Sequence, residues 1–236
     1  MAGVVLTRSP DKDRELARRL AELGVAYASV PLLEHHPGPG FPDLAAALEE
    51  AWAWVAVTSP TAARFLTHAW EASGRPALRV AALGGGTARA LARAGITPEF
   101  TAPEAYGRAL AEALPGPGPL LWPASILAGP DFARALEARG FAVTRLDVYL
   151  TRPRALDASE RALLEGAAVA ALASPSAVRA WAEAARARPA AAAIGRVTGE
   201  AARAAGFAPV RWPAAPGAVG WAEAVRELYE GKGRLP

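Results

Sequence analysis

Six short turns of the sequence carry the residues best suited to bind a ligand. Each turn follows a short apolar run and consists mainly of small or hydroxyl-bearing residues. The turns are Thr7-Arg8-Ser9-Pro10, Thr58-Ser59-Pro60-Thr61, Gly84-Gly85-Gly86-Thr87, Pro123-Ala124-Ser125, Ser174-Pro175-Ser176 and Gly195-Arg196-Val197-Thr198. If each run is a strand and each turn begins a helix, backbone N–H groups and hydroxyls point outward beyond the carboxyl ends of the strands. Such a surface suits a ligand with several anionic groups, although any single turn is equally well explained as a helix cap.

Tyr149 is the side chain best suited to move a proton. It lies in an extended segment, residues 145–153. An aromatic residue in a strand is mostly a packing residue. A phenol where two domains meet could instead donate a proton into the cleft between them. The sequence leaves both roles open.

Several kinds of site are excluded by composition and motif. The chain has no Cys, and its three His include the adjacent pair His35 and His36, which point to opposite faces of an extended segment, so we expect no bound metal. No Walker loop, nucleophile elbow or H-E-x-x-H motif is present, and Arg89 occupies the place of the last Gly of a dinucleotide fingerprint. An NAD-dependent or nucleotide-dependent enzyme is therefore disfavoured.

Charge and hydropathy limit the partners. The chain of 236 residues is 52% hydrophobic and carries 26 basic against 23 acidic residues without a basic block, which argues against nucleic acid as a partner. No secretion signal and no long apolar segment is present, so we expect a soluble cytoplasmic protein without a membrane partner. The absence of Asn and Gln and the 21 Pro fit a heat-adapted source, although GC-rich codon usage would have the same effect.

The sequence repeats itself. The segment from Leu16 matches the segment from Phe132, with Gly24 aligned to Gly140 at a shift of 140 − 24 = 116. Two further blocks match around Ser59 and Ser174, at a shift of 174 − 59 = 115, and around Gly84 and Gly195, at a shift of 195 − 84 = 111. A duplicated chain divided near residue 117 would account for this pattern. The repeat leaves open whether the two domains are interleaved.

Short apolar runs alternate with amphipathic Ala- and Arg-rich segments along the chain. The runs are residues 3–7, 54–58, 80–83, 120–122, 168–172 and 191–194. Continuous apolar runs of this length are typical of strands covered on both faces. Strand and helix in alternation indicate parallel sheets. We therefore predict an α/β fold of two similar domains, each with a doubly wound parallel sheet.

The motifs, in their order and spacing, resemble those of the uroporphyrinogen-III synthase family. The matching segments are Val5-Leu6-Thr7-Arg8-Ser9-Pro10, Ala21-Glu22-Leu23-Gly24, Thr58-Ser59-Pro60, Ala82–Ala88, Val148-Tyr149-Leu150-Thr151, Ser174-Pro175-Ser176 and Ala193–Thr198. The resemblance implies one domain of residues 1–33 plus 152–236 and another of residues 37–148. It also implies a two-stranded β linker at about residues 32–36 and 147–151, which replaces the division near residue 117.

The resemblance implies an activity. The family converts the linear tetrapyrrole hydroxymethylbilane, with loss of water, into uroporphyrinogen III with ring D inverted, and it uses no cofactor. We therefore expect a monomeric lyase of tetrapyrrole and haem biosynthesis that receives its substrate from the preceding deaminase. A non-catalytic two-domain hinge protein that closes over a small anionic ligand is the alternative, and Tyr149 would be dispensable in it.

The resemblance also implies roles for single residues. Tyr149 is the implied proton donor to the departing hydroxyl. The implied substrate-binding residues lie in the six turns and are Arg8, Ser59, Thr61, Gly85, Gly86, Thr87, Ser125, Ser174, Ser176, Gly195, Arg196, Val197 and Thr198. Many members carry Pro-Arg-Gly where this chain has Pro123-Ala124-Ser125, so a basic contact expected there is absent.

Overall fold

The chain forms two compact units. The computed structural model describes residues 3–102, 104, 106–215 and 217–232. The first unit comprises Met1–Glu34 and Arg152–Pro236, and the second comprises His35–Thr151. The backbone passes from one unit to the other after Glu34 and again after Thr151. A division near residue 117, which the repeat alone suggests, would cut through the second unit.

The first unit contains a five-stranded sheet with helices on both faces. Its strands are β1 (Val4–Leu6), β2 (Tyr27–Ser29), β9 (Val169–Leu172), β10 (Ala190–Ala193) and β11 (Val210–Arg211), in the order β11-β10-β9-β1-β2. Every neighbouring pair is parallel. Its helices are α1 (Pro10–Glu22), α7 (Ala158–Glu165), α8 (Pro175–Ala184), α9 (Arg196–Ala204) and α10 (Ala218–Lys232).

The second unit contains a six-stranded sheet. Its strands are β3 (Leu33–Pro37), β4 (Trp54–Val57), β5 (Val80–Ala82), β6 (Phe100–Thr101), β7 (Gly118–Ser125) and β8 (Phe141–Pro153), in the order β3-β8-β7-β4-β5-β6. The first residues of β3 and the last of β8 extend into the first unit. The helices are α2 (Phe41–Ala47), α3 (Pro60–Ala72), α4 (Gly84–Arg93), α5 (Gly107–Ala113) and α6 (Asp131–Glu137).

The strands form where the sequence predicts them because each apolar run is buried on both faces. Val4 and Leu6 of β1 pack with α1 and α10, whereas Val5 packs with α7, α8 and α9 on the opposite face. The second sheet likewise separates two apolar clusters, one with α2, α3 and α4 and one with α5 and α6. The predicted α/β class is confirmed, with two doubly wound sheets in which parallel pairs dominate.

The two sheets place equivalent strands in the same order. By the repeat shifts, β9 matches β4, β10 matches β5, and β1 matches β7. The first sheet reads β11-β10-β9-β1-β2 and the second reads β6-β5-β4-β7-β8 followed by β3. Each half of the sequence therefore contributes strands to both units. Among the described residues, no helix is both long and apolar enough to cross a membrane.

Candidate functional site

Tyr149 lies near the carboxyl end of β8 in the second unit. Its register with Ser125 of β7 follows an irregularity in the strand pairing. Its ring stacks on Phe65 of α3, with ring centroids 5.5 Å apart and planes 7° apart. The side chain is 8% exposed, and its hydroxyl lies 3.0 Å from the hydroxyl of Ser59. Tyr149 therefore combines a packed ring with a hydroxyl directed at a helix start.

Ser59 links Tyr149 to the first turn of α3. It is the N-cap residue of this helix, and its Oγ accepts a hydrogen bond from the Ala62 N–H at 2.9 Å. Pro60 follows at the first helical position, where its fixed φ suits the helix. The Ser59 hydroxyl thus keeps one proton to donate and one lone pair to accept, and it stands at the positive end of a helix of 13 residues.

His35 completes the surroundings of Tyr149. Its ring meets the Tyr149 ring edge-on, with centroids 5.8 Å apart and planes 85° apart. Nδ1 lies 2.9 Å from Oγ1 of Thr151, and Nε2 lies 3.4 Å from Oγ1 of Thr61. The sequence offered one signal for this contact: His35 and Thr151 are equivalent by the 116-residue shift, and they lie on adjacent strands. The structure thus brings together Tyr149, Ser59 and Thr61, together with a histidine that the sequence analysis assigned no role.

The glycine-rich turn after β5 forms the first turn of α4. Gly84 has φ +74°, a conformation that glycine adopts without strain. A side chain at Gly85 would approach the guanidinium of Arg89, whereas Gly86 has no atom nearer than 4.0 Å to such a position. Thr87 is 2% exposed, yet its hydroxyl makes no hydrogen bond within the described part of the chain.

The first unit repeats this arrangement at its own carboxyl edge. Ser174 caps α8, with its Oγ accepting from the Ala177 N–H at 3.1 Å. Ser176 accepts a hydrogen bond from Arg179 at 3.2 Å. Gly195 is the N-cap residue of α9, and its backbone is extended. Both serines lie where a second set of binding turns is predicted.

The first turn of α9 separates exposed side chains from a buried one. Arg196 pairs with Glu200 at 3.1 Å on the surface, and Val197 is 64% exposed. Thr198 is 4% exposed, and its hydroxyl, like that of Thr87, makes no hydrogen bond among the described residues. Among the described residues, no side-chain oxygen or nitrogen that is fully enclosed lacks a hydrogen-bond partner. Both threonine oxygens therefore retain a side open to solvent.

Arg8 is held by its own unit. Its Nε donates to Asp13 Oδ1 at 2.6 Å, and its backbone N–H donates to Oδ2 at 3.1 Å. The guanidinium also contacts the carbonyl of Lys12 and lies 5.1 Å from the ring centroid of Trp221. Because Asp13 is only 1% exposed, Arg8 balances a buried carboxylate. Nearby, a hydrogen bond from the Ser9 hydroxyl lowers the pKa of Asp11.

Arg145 stabilises the loop that begins at Ser125, and the sequence analysis missed it. Its guanidinium donates to Asp147 at 2.7 Å, to the carbonyl of Ala128 at 2.9 Å and to the carbonyl of Ser125 at 3.1 Å. The Ser125 hydroxyl accepts from the Leu127 N–H at 3.2 Å, so it serves the same loop. A cation thus lies beside the turn where the resemblance implies an arginine that this chain lacks.

A cavity in the first unit lies apart from these turns. Its volume is about 300 Å³, it is lined by residues that include Arg203, Trp212 and Glu227, and no predicted site residue contributes to it. Among the described residues, no cluster of three or more His, Asp or Glu side chains could hold a metal ion.

The comparisons with known proteins agree with one another. The family model described as uroporphyrinogen-III synthase HemD matches residues 14–223. The chain is 34% identical over 247 residues to the chloroplastic uroporphyrinogen-III synthase of Oryza sativa subsp. japonica, covering 98% of this chain and 82% of the relative.

Solved structures of two bacterial proteins share the fold. The uroporphyrinogen-III synthetase of Helicobacter pylori matches with a TM-score of 0.66 at 18% identity, over 98% of this chain and 100% of that one. A mutant uroporphyrinogen III synthase of Thermus thermophilus matches with a TM-score of 0.60 at 20% identity, over 98% and 100%.

Proposed function

The chain belongs to the uroporphyrinogen-III synthase family, and we propose that it acts as a cofactor-independent lyase with Tyr149 as its proton donor. It is an enzyme of tetrapyrrole biosynthesis. In the proposed reaction the terminal hydroxyl of hydroxymethylbilane leaves as water, which makes an electrophilic azafulvene. The azafulvene reacts at the substituted carbon of ring D, and the resulting spiro intermediate opens and recloses with that ring inverted.

Holding the substrate is the main task of the protein in this reaction. The linear tetrapyrrole closes unassisted without inversion, so the protein must bend the chain before ring closure. Its acetate and propionate groups give it several negative charges around the rim. Exposed N–H groups at helix starts and hydroxyls bind such groups through directed hydrogen bonds, and positioning of this kind accelerates a reaction without a strong acid or base.

The proton transfer is assigned to Tyr149. The C–O bond of the substrate breaks as the phenol gives its proton to the departing oxygen, which leaves as water. The observation that carries this role is the 3.0 Å contact between the Tyr149 and Ser59 hydroxyls. The Ser59 hydroxyl can donate a hydrogen bond to the phenolate that remains, and the positive end of α3 favours the negative charge at this place.

The carboxylates of the substrate are assigned to the turns at the carboxyl edges of the sheets. Thr87 and Thr198 support this role because their hydroxyls are unused within the described chain and retain an open side. The N–H groups at Gly85, Gly86, Gly195, Arg196 and Val197 lie in the first turns of α4 and α9, where backbone donors lack helical partners. Ser176 and Ser125 are assigned weaker contacts because both hydroxyls already bind protein groups.

Three further expectations stay predictions: that the protein is a monomer, that it is located in the cytoplasm, and that it takes its substrate directly from the deaminase. Gel filtration with light scattering tests the first. Direct substrate transfer from the deaminase is tested by adding a reagent that captures free hydroxymethylbilane. Product that still forms in its presence indicates direct transfer.

The product isomer tests the activity. Purified protein is given freshly generated hydroxymethylbilane, and the uroporphyrinogen isomers are separated after oxidation. We expect isomer III, whereas a blank without protein gives isomer I. Isomer I alone in the presence of folded protein would refute the assignment.

Tyr149→Phe tests the proton donor. We expect turnover to fall severalfold to about a hundredfold without unfolding, because one general acid is lost while water can substitute for it. Tyr229→Phe, the same chemical change in α10 of the first unit, is the matched control and should keep full turnover. Unchanged turnover in Tyr149→Phe would make Tyr149 a packing residue, as the hinge-protein alternative requires.

A further inference from the structure

We propose that His35 is a positioning residue that holds the Tyr149 phenol in the orientation required for proton transfer. This inference rests on the proposed function, because it assigns His35 a part in the step that Tyr149 performs. His35 itself transfers no proton to or from the substrate in this proposal.

The imidazole of His35 connects the two elements that carry the acid and its partner. Through Nδ1 it reaches Thr151, two residues after Tyr149 on β8. Through Nε2 it reaches Thr61, two residues after Ser59 in the first turn of α3. The ring therefore sets the distance between the strand and the helix start, and with it the distance between the two hydroxyls.

The Tyr149 ring is confined by aromatic contacts as well. Phe65 stacks on it at 5.5 Å, and the edge contact with His35 at 5.8 Å comes from another element. Edge-to-face and stacked pairs of this kind stabilise a ring arrangement beyond the effect of buried area alone. With the hydroxyl at Ser59, three contacts fix the tilt of the phenol.

Histidine suits this place because both of its ring nitrogens face a threonine hydroxyl. In the neutral ring one nitrogen donates and the other accepts, and a threonine hydroxyl can match either role. An amide side chain can bind hydroxyls but has no aromatic edge to present to Tyr149. Since both nitrogens already meet protein groups, the ring acts through Tyr149 and not on the substrate.

The test compares His35→Phe with wild-type protein and with Tyr149→Phe. His35→Phe keeps the aromatic edge and removes the hydrogen bonds to Thr61 and Thr151. We expect kcat to fall about five- to tenfold, since small misplacement of a reacting group lowers the rate steeply, while KM stays within about twofold. His68→Phe, a change of the same kind on the exposed side of α3, is the matched control and should leave both constants unchanged.

A double-mutant cycle separates positioning from a structural role. If His35 acts through the phenol, His35→Phe changes kcat less than about twofold once Tyr149 is already Phe. An equal loss in both backgrounds, or a rise in KM with unchanged kcat, would overturn the proposal.

Two milder variants keep the proposal testable if His35→Phe fails to fold. Thr151→Val and Thr61→Val each remove one hydrogen bond to the imidazole, and each should lower kcat about two- to threefold in protein with Tyr149 and have no effect without it. Unchanged kcat in both would refute the proposal. The product isomer of the wild-type protein is determined in the same assay. If wild-type protein forms isomer III but the His35 and threonine variants keep full kcat, only the positioning proposal fails. If wild-type protein forms isomer I alone, the proposed function fails.

Discussion

Ser59 and Ser174 occupy equivalent places in the two units but have different surroundings. Each follows a buried strand, caps a helix and accepts a hydrogen bond from the third residue on. Only at Ser59 does the tyrosine hydroxyl add a second partner in the part of the chain that the structure describes. The two helix starts are thus similar, and among the described residues only the one at Ser59 has a tyrosine hydroxyl beside it, at the place of the proposed proton transfer.

The threonine turns show the opposite case, in which both copies kept the same property. Thr87 and Thr198 are both buried, and neither hydroxyl serves the fold among the described residues. Their neighbours differ, however: Ala88 follows Thr87, whereas Gly199 follows Thr198. The shared feature supports the proposed contacts with substrate carboxylates. The difference at the next residue lies in the packing, because Gly199 leaves room for the Trp212 indole.

Gly199→Ala should have the largest effect on stability. A side-chain carbon at Gly199 would lie 2.1 Å from the Trp212 indole, with two further ring atoms within 3.0 Å. We expect a loss of about 3 kcal/mol in the first unit, because a rigid ring against a helix backbone relaxes poorly. Hydrogen exchange of β10, compared with β5 of the second unit, measures the loss unit by unit.

Gly86→Ala is the matched control in the equivalent helix of the second unit. No atom lies nearer than 4.0 Å to the added carbon, so this change should raise stability by about 0.5–1 kcal/mol.

Trp212→Thr introduces the residue found at the equivalent position, Thr101, since 212 − 101 = 111. In protein that carries Trp212→Thr, Gly199→Ala should lower the stability little further. A further loss of about 3 kcal/mol would show that contact with Trp212 does not cause the destabilisation.

Ser59→Ala and Ser174→Ala should separate capping from catalysis. Both lose the N-cap and about 1 kcal/mol of stability. Ser59→Ala should also lower kcat about tenfold, because a hydrogen bond to a charged oxygen is worth about 1.5 kcal/mol. Ser174→Ala should raise KM and leave kcat within about twofold. Steady-state kinetics on both proteins measure this, and equal losses of kcat would remove the distinction between the units.

Much of the fold could be predicted because both sheets are buried on both faces. The run at Trp54–Val57 is apolar throughout, and such a strand can be recognised from the sequence without knowing which strand it pairs with. The two-residue edge strands Phe100–Thr101 and Val210–Arg211 were missed because half-buried edges carry no continuous apolar run. The division near residue 117 was wrong because the copies exchange strands, and a repeat records sequence similarity but not which copy each strand pairs with.

The site was harder to predict than the fold because its contacts join distant parts of the chain. The turns at Ser59 and Ser174 could be identified from local cap chemistry. The contact between Ser59 and Tyr149 spans 90 residues, and spacing alone does not reveal it. His35 was considered only as a metal ligand, since its contacts with Thr151 and Tyr149 depend on strand β3 lying beside β8.

Thr87→Val and Thr198→Val should have smaller effects of the same size in both units. Valine has the shape of threonine, and each lost hydroxyl has no partner among the described residues, so stability should change by less than about 0.5 kcal/mol. Each variant should raise KM severalfold, since one hydrogen bond to a carboxylate is lost. Denaturation and kinetics on the same samples measure both quantities. A stability loss above about 1 kcal/mol would show that the hydroxyl serves the fold.

Mild acid should produce the smallest difference in stability between the two units, with the first unit losing more stability than the second. Among the described carboxyl groups, those with a lowered pKa lie mainly in the first unit: Asp11, Glu15, Asp157, Glu160 and Glu165, against Glu99 in the second. Hydrogen bonds are the leading cause, from Arg154 to Glu160 and from the Arg186 N–H to Glu165 for example.

The sign of the acid effect follows from these lowered values. A carboxyl group whose folded pKa lies below its ordinary value of 3.8 or 4.5 stabilises the fold above that value, and the contribution is lost as the pH falls through the folded pKa. Between about pH 4.5 and pH 3 the first unit should therefore weaken before the second. Brief pepsin digestion across this range, followed by mass spectrometry, should release first-unit peptides earlier. Because these groups are exposed, added salt should shrink the difference, and equal release at low salt would contradict the prediction.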